Sequence, residues 1–226
     1  CYVLIMEAAA LAETRCFFAV VPDEEARVRI GSLAARLKAA HRMNGALIRP
    51  RNLHVSLYGL GDPHGYDDWL RIKAQDTARR VDLPPFEVAF DYTASFDTGR
   101  KRSPFVLRGS CLGRLMDFQR TLGRAMVHAG MCRRVSSAFT PHITLLYADR
   151  RVDEYPVLPI RWVVREYVLI RSFIGQGRHE HLASWPLRGR DGSMGWRTYG
   201  EDGDDLRHQE LRHDEEGACL AGSARD

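Results

Sequence analysis

The sequence predicts an α+β fold made of two similar lobes. Three observations lead there. Short apolar strands alternate with stretches of helical period. A His-x-Ser/Thr tripeptide occurs twice, as His54-Val55-Ser56 and His142-Ile143-Thr144, 88 residues apart. Each copy closes a strand–helix–strand unit, running from Arg15–Val21 to His54 in the first and from Phe105–Arg108 to His142 in the second. Lobes that face each other would bring both imidazoles into one cleft.

The elements follow in order. Cys16 to Val21 is an apolar strand, and Asp23 with Glu24 and Glu25 opens a helix as cap and acidic first turn. Ile30, Leu33, Ala34 and Leu37 keep helical spacing until Asn44-Gly45 breaks it. Arg49-Pro50-Arg51-Asn52 leads into the first motif strand. A second helix is expected over Tyr66–Val81, with Leu70, Ala74, Ala78 and Val81 on one face. Phe86 to Tyr92 alternates as a half-buried strand does. Thr98 to Ser103 is a basic turn, and Phe105–Arg108 a short strand. Leu112–Ala129 is a helix with Leu112, Leu115, Met116, Leu122 and Met126 inward and Gly130 as its stop. After the second motif, Tyr155 to Pro159 reads as a loop, Trp162–Ile170 as one strand and His181–Leu187 as another.

Residues 15–188 are expected to form the folded domain. Cys1 to Thr14 precede it as a leader whose status the sequence leaves open. Residues 189–226 hold five Lys/Arg against ten Asp/Glu without apolar periodicity, and are expected to be a disordered acidic tail. The chain is +4 overall, so the rest carries +9, which suits an anionic partner such as nucleic acid. No apolar run is long enough to span a membrane. The five scattered cysteines form no C-x-x-C, which argues against a disulfide framework or a zinc site and for a reducing, cytoplasmic setting.

In a strand, residues i and i+2 share a face. His54 and Ser56 therefore point one way, with Leu53, Val55 and Leu57 opposite. His142 and Thr144 pair likewise against Ile143 and Leu145. Two imidazoles can act as acid and base near neutral pH. Two hydroxyls can donate to the non-bridging oxygens of a phosphate as charge develops there. The pattern suits phosphoester cleavage without a metal or other cofactor, and its near-symmetry leaves open which histidine is acid and which is base.

These motifs in their contexts resemble the 2H phosphoesterase superfamily, and within it the RNA 2′,3′-cyclic phosphodiesterases, also called 2′-5′ RNA ligase-like or LigT-like proteins. The likeness runs from about Arg15 to Leu187. It rests on Arg15–Pro22, Leu53-His54-Val55-Ser56-Leu57 with Leu60-Gly61, Pro85-Phe86, Ser95-Phe96, Phe139–Leu145, and Ser172 with Gly175. Tyr147 departs from it, standing where a basic residue is frequent. The resemblance implies a bilobal pseudo-two-fold fold, with two antiparallel sheets lining a central cleft and helices outside. It also implies hydrolysis of an RNA terminal 2′,3′-cyclic phosphate to a 2′-phosphomonoester. It assigns His54 as proton donor, His142 as proton acceptor, and Ser56 and Thr144 to the phosphate, with reversible 2′-5′ ligation in some relatives. The expected partner is RNA with a cyclic phosphate end, met by a monomer away from membranes.

Candidate RNA-binding residues are Tyr58 and Phe96, by stacking, and Arg100, Lys101, Arg102, Arg133 and Arg134, by charge. Tyr147 shares the parity of Ile143 and Leu145 and is expected to pack inward. His179 and His181 have ligand-like spacing, but the sequence offers no third ligand nearby, so no metal is assigned. The rival readings are another 2H cyclic-nucleotide or 2′-5′ phosphodiesterase, a catalytically idle RNA-binding module, and a metal hydrolase. The last lacks clustered carboxylates beside either motif.

Overall fold

The computed structural model describes residues 13–60, 68–135 and 138–189. The leader up to residue 12, Tyr66 at the expected start of the second helix, and the tail from residue 190 lie outside the described residues. Strand β1 (Thr14–Val20) leads to helix α1 (Glu24–Ala40), a 3-10 turn (Pro50–Asn52) and β2 (Val55–Gly59). Helix α2 (Asp68–Ala78) follows, then β3 (Phe86–Ser95), β4 (Ser103–Arg108), α3 (Gly113–His128) and β5 (Ile143–Ala148). The described part closes with β6 (Tyr155–Val164), β7 (Glu166–Phe173) and β8 (Arg178–Pro186). The strands make two antiparallel sheets, ordered β2-β1-β7-β8 and β5-β4-β3-β6.

The repeat extends to the irregularities. Ala19 pairs with Ser56 and Phe18 with Tyr58, which leaves Leu57 as an extra residue. Val106 pairs with Thr144 and Phe105 with Leu146, which leaves Leu145 extra in the same way. Each bulge falls three residues after its histidine. A bulge turns the strand by one residue, so parity reverses beyond it. Both Leu57 and Tyr58 are therefore buried, as are both Leu145 and Leu146, while Tyr147 is 48 % exposed. Tyr58 does not offer its ring for base stacking as expected. It packs on α3 at Gly123, where a Cβ would stand 2.2 Å from the Tyr58 hydroxyl oxygen. Tyr147, expected to pack, points outward instead.

Each helix also serves the other lobe. Asp23 caps α1 by accepting from the Ala26 amide at 2.9 Å. The helix leaves β1 of the first sheet yet packs against β5 and β6 of the second, and Arg29 donates to the Pro159 carbonyl at 3.1 Å. Helix α3 leaves β4 of the second sheet, touches β3, and reaches β2 of the first, with Phe118 set against Tyr167 of β7 at 5.4 Å between ring centroids. Leu115, Phe118, Leu122 and Met126 are fully buried along its inner stripe. At about 1.5–3 kcal/mol each, these four side chains are a large gross contribution. Met116, expected among them, falls outside the stripe and is 39 % exposed. Buried residues from both sheets form one continuous core.

Three further expectations change. Tyr155–Pro159 is not a loop but the first half of β6. This strand pairs only with β3 at the sheet edge, where Pro156 and Pro159 break no interior ladder. Trp162–Ile170 is not one strand, because the chain turns at Arg165 from β6 in one sheet to β7 in the other. Cys16 and Cys132 form no disulfide, but Cys111 is disulfide-bonded, which the scattered cysteines had argued against. No helix among the described residues is long and apolar enough to cross a membrane.

Candidate active site

The two histidines stand one residue ahead of β2 and β5, held in the same way. The His54 Nδ1–H donates to the Asn52 carbonyl at 2.7 Å, and the His142 Nδ1–H to the Thr140 carbonyl at 2.8 Å. A carbonyl can only accept, so each bond places the proton on Nδ1 and leaves Nε2 for a substrate. Asn52 is itself fixed. It is buried at the end of the 3-10 turn, and its Nδ2 donates to the Gly177 carbonyl at 2.9 Å, at the tip of the β7–β8 hairpin. His179 of β8 lies edge-on to His54 at 5.2 Å, and Phe17 of β1 lies 4.9 Å from the same ring. Across the site, Phe96 meets His142 edge-on at 4.8 Å.

Ser56 is exposed on β2 and Thr144 half-buried on β5, while Val55, Leu57, Ile143 and Leu145 are buried opposite them. The imidazole–hydroxyl faces are thus those the alternation predicted. Burial pushes the His54 imidazole down to about 4. The Asn52 carbonyl opposes this, and the imidazoles of His179, His142 and His181 add to it. His142 is thus among the groups whose charge acts on His54. Burial also lowers His142, partly offset by the Thr140 carbonyl and reinforced by Arg108. In both rings burial thus favours the neutral form.

The other expected residues divide. Phe96 is at the site. Arg102 lines a cavity of about 330 Å³ with Arg49, Asn52, Tyr147 and Gly177, bordering the ring of His54 through Asn52. Arg100 and Lys101 sit exposed in the β3–β4 turn, and Arg133 and Arg134 are exposed after α3. Among the described residues no hydrogen bond or ion pair ties these four to the motifs. His179 and His181 gather no third ligand: among the described residues, no group of three or more His, Cys, Asp or Glu side chains is placed to hold a metal. Sequence reasoning missed Phe17, His179 as a neighbour of His54, and Arg108. Simple alternation along β4, with Val106 opposite Thr144, would have put Arg108 on the same face.

Two antiparallel sheets related by a pseudo-two-fold, each carrying an imidazole and a hydroxyl on one face, have the architecture of the 2H phosphoesterases. A sequence model described as the 2′-5′ RNA ligase superfamily matches residues 22–172, and the chain belongs to that family. No curated protein sequence matches it. Among solved structures, it resembles Escherichia coli LigT in apo form, with a TM-score of 0.60 at 23 % identity over 78 % of this chain and 99 % of that one. It also resembles TT0787 of Thermus thermophilus, with a TM-score of 0.60 at 22 % identity over 78 % and 99 %. The E. coli protein complexed with 3′-AMP gives 0.59 at 24 % over 78 % and 98 %.

Proposed function

We propose that the protein hydrolyses RNA terminal 2′,3′-cyclic phosphates to 2′-phosphomonoesters without a metal, and that a 5′-hydroxyl end attacking in place of water, with the 3′ oxygen leaving as before, gives a 2′-5′ linkage reversibly. The observation that carries this reading is the twin arrangement of the motifs. Each imidazole is locked through Nδ1 to the carbonyl two residues before it, with a hydroxyl two residues after it on the same face. In the reaction, water attacks phosphorus and gives its proton to Nε2 of His142. The bond from phosphorus to the 3′ oxygen breaks, and His54 protonates that oxygen. Ser56 and Thr144 donate to the non-bridging oxygens, whose charge grows in the transition state. The +9 charge of residues 1–188 favours a polyanionic substrate, and similar E. coli LigT has been solved with 3′-AMP and with phosphate.

An oligonucleotide ending in a 2′,3′-cyclic phosphate, incubated with the protein and EDTA, is expected to yield the 2′-phosphate at an undiminished rate. RNA binding without turnover would make the protein a binding module. Loss of turnover with EDTA would make it a metal enzyme. Either result contradicts the proposal.

A further inference from the structure

The two halves of the site differ in one group. Beside His54 stand neutral rings, those of Phe17 and His179. Beside His142 stands a cation. Leu107 pairs with Ile143, so the next residue out on each strand, Arg108 on β4 and His142 ahead of β5, come opposite each other. Arg108 alternates with Val106, which pairs with Thr144, and so it shares the face of His142 and Thr144. Its guanidinium lies over the rings of Tyr92 at 5.1 Å and Phe96 at 5.7 Å. Its Nε is buried without a hydrogen-bond partner, and among the described residues no carboxylate pairs with it. The nearby acids are engaged elsewhere or turned to other groups. Asp91 accepts from the amide and hydroxyl of Ser110, and Asp97 is paired with Arg151. A half-buried guanidinium, oriented by two aromatic rings and lacking an anion, is built to receive one.

We propose that Arg108 is the phosphate-binding cation of this site, donating to a non-bridging phosphate oxygen from the His142 side and, by its permanent charge, keeping His142 the proton acceptor. The proposal rests on the phosphoesterase reading and adds a residue and a reason for the division of labour. Burial disfavours charge on the imidazoles around His54, whereas a guanidinium is a fixed cation. Burial holds His54 down in the free protein, but an anionic phosphate offsets that cost, and no fixed cation beside His54 then opposes its protonation as Arg108 opposes that of His142. The other titratable groups facing this corner are Tyr92 on β3, which stays neutral in the working range, and His54 from the opposite lobe. Glu154 and Asp91 act on Tyr92.

The test is NMR of the full chain with labelled histidine, titrated with inorganic phosphate and with pH. It compares wild type, Arg108→Met and Arg108→Lys, with thermal unfolding of each variant to confirm folding. Arg108→Met is expected to weaken phosphate binding by about tenfold or more and to move the His142 titration to higher pH. Arg108→Lys should restore the titration and part of the affinity. If Arg108→Met folds and leaves both phosphate affinity and the His142 titration unchanged, Arg108 only packs between Tyr92 and Phe96, and the proposal falls. It falls equally if phosphate perturbs neither His54 nor His142 in the wild type. These readouts need no turnover. Phosphate binding through Arg108 in a protein inert toward cyclic phosphates would uphold this assignment while overturning the proposed reaction.

Discussion

Alanine at His54 or at His142 will slow cyclic phosphate hydrolysis by about 10²–10⁴-fold in each case, the usual span for a lost general acid or base. Fold should survive, because neither ring belongs to the buried apolar core. The two variants will separate on a second substrate. An aryl phosphodiester with a good leaving group needs no proton on the departing oxygen. His54→Ala should therefore recover most of its rate on bis(p-nitrophenyl) phosphate, relative to wild type on the same ester. His142→Ala should not, because water still has to be deprotonated. Recovery in His142→Ala instead would exchange the two roles. It would also remove the reason given for the cation at Arg108.

The second large effect concerns the fold. Gly45→Ala will destabilise the protein by about 2–3 kcal/mol, the cost of an overpacked site, and lower the melting temperature by roughly 5–10 °C for a chain of this size. A Cβ at Gly45 would stand 2.1 Å from the Tyr147 carbonyl oxygen and 2.9 Å from its carbon. Both are backbone atoms of β5, so no rotamer change relieves the contact. This close approach lets the chain run along the outer edge of β5. There the Ile48 amide donates to the Leu145 carbonyl at 2.8 Å and Leu47 bridges to Leu146. That seam carries the chain from α1, packed on the second sheet, back to β2 in the first. Gly59→Ala is the control, since a Cβ there meets nothing within 4 Å. It should change stability by less than about 0.5 kcal/mol. Equal melting of the two variants and the wild type, by calorimetry, would refute the seam.

What could be read from the chain was whatever depends on local period. Alternation placed His54 with Ser56 and His142 with Thr144, and 3.6-residue spacing placed Ile30, Leu33, Leu115 and Leu122 inside. What could not be read depends on partners. The bulges at Leu57 and Leu145 exist because β1 and β4 pair with one residue fewer, and they exchanged the expected fates of Tyr58 and Tyr147. Prolines 156 and 159 argue for a loop until β6 is known to be an edge strand. Arg108 could not be read from the chain because its meaning lies across the ladder, opposite His142, and in the lack of a carboxylate paired with it among the described residues. His179 stands beside His54 although β8 and β2 are at opposite edges of the first sheet, with Asn52 bonded to Gly177 at the β7–β8 turn, and local period cannot show such a contact.

The central claim is that the two halves make one catalytic unit. Single-turnover rates on a 2′,3′-cyclic phosphate oligonucleotide test it directly, with His54→Ala, His142→Ala and the double variant measured side by side. Groups that act in the same step lose their effect together, so the double variant should be within about tenfold of the slower single variant. Losses that multiply, or a single variant that keeps near-normal rate, would contradict a shared site.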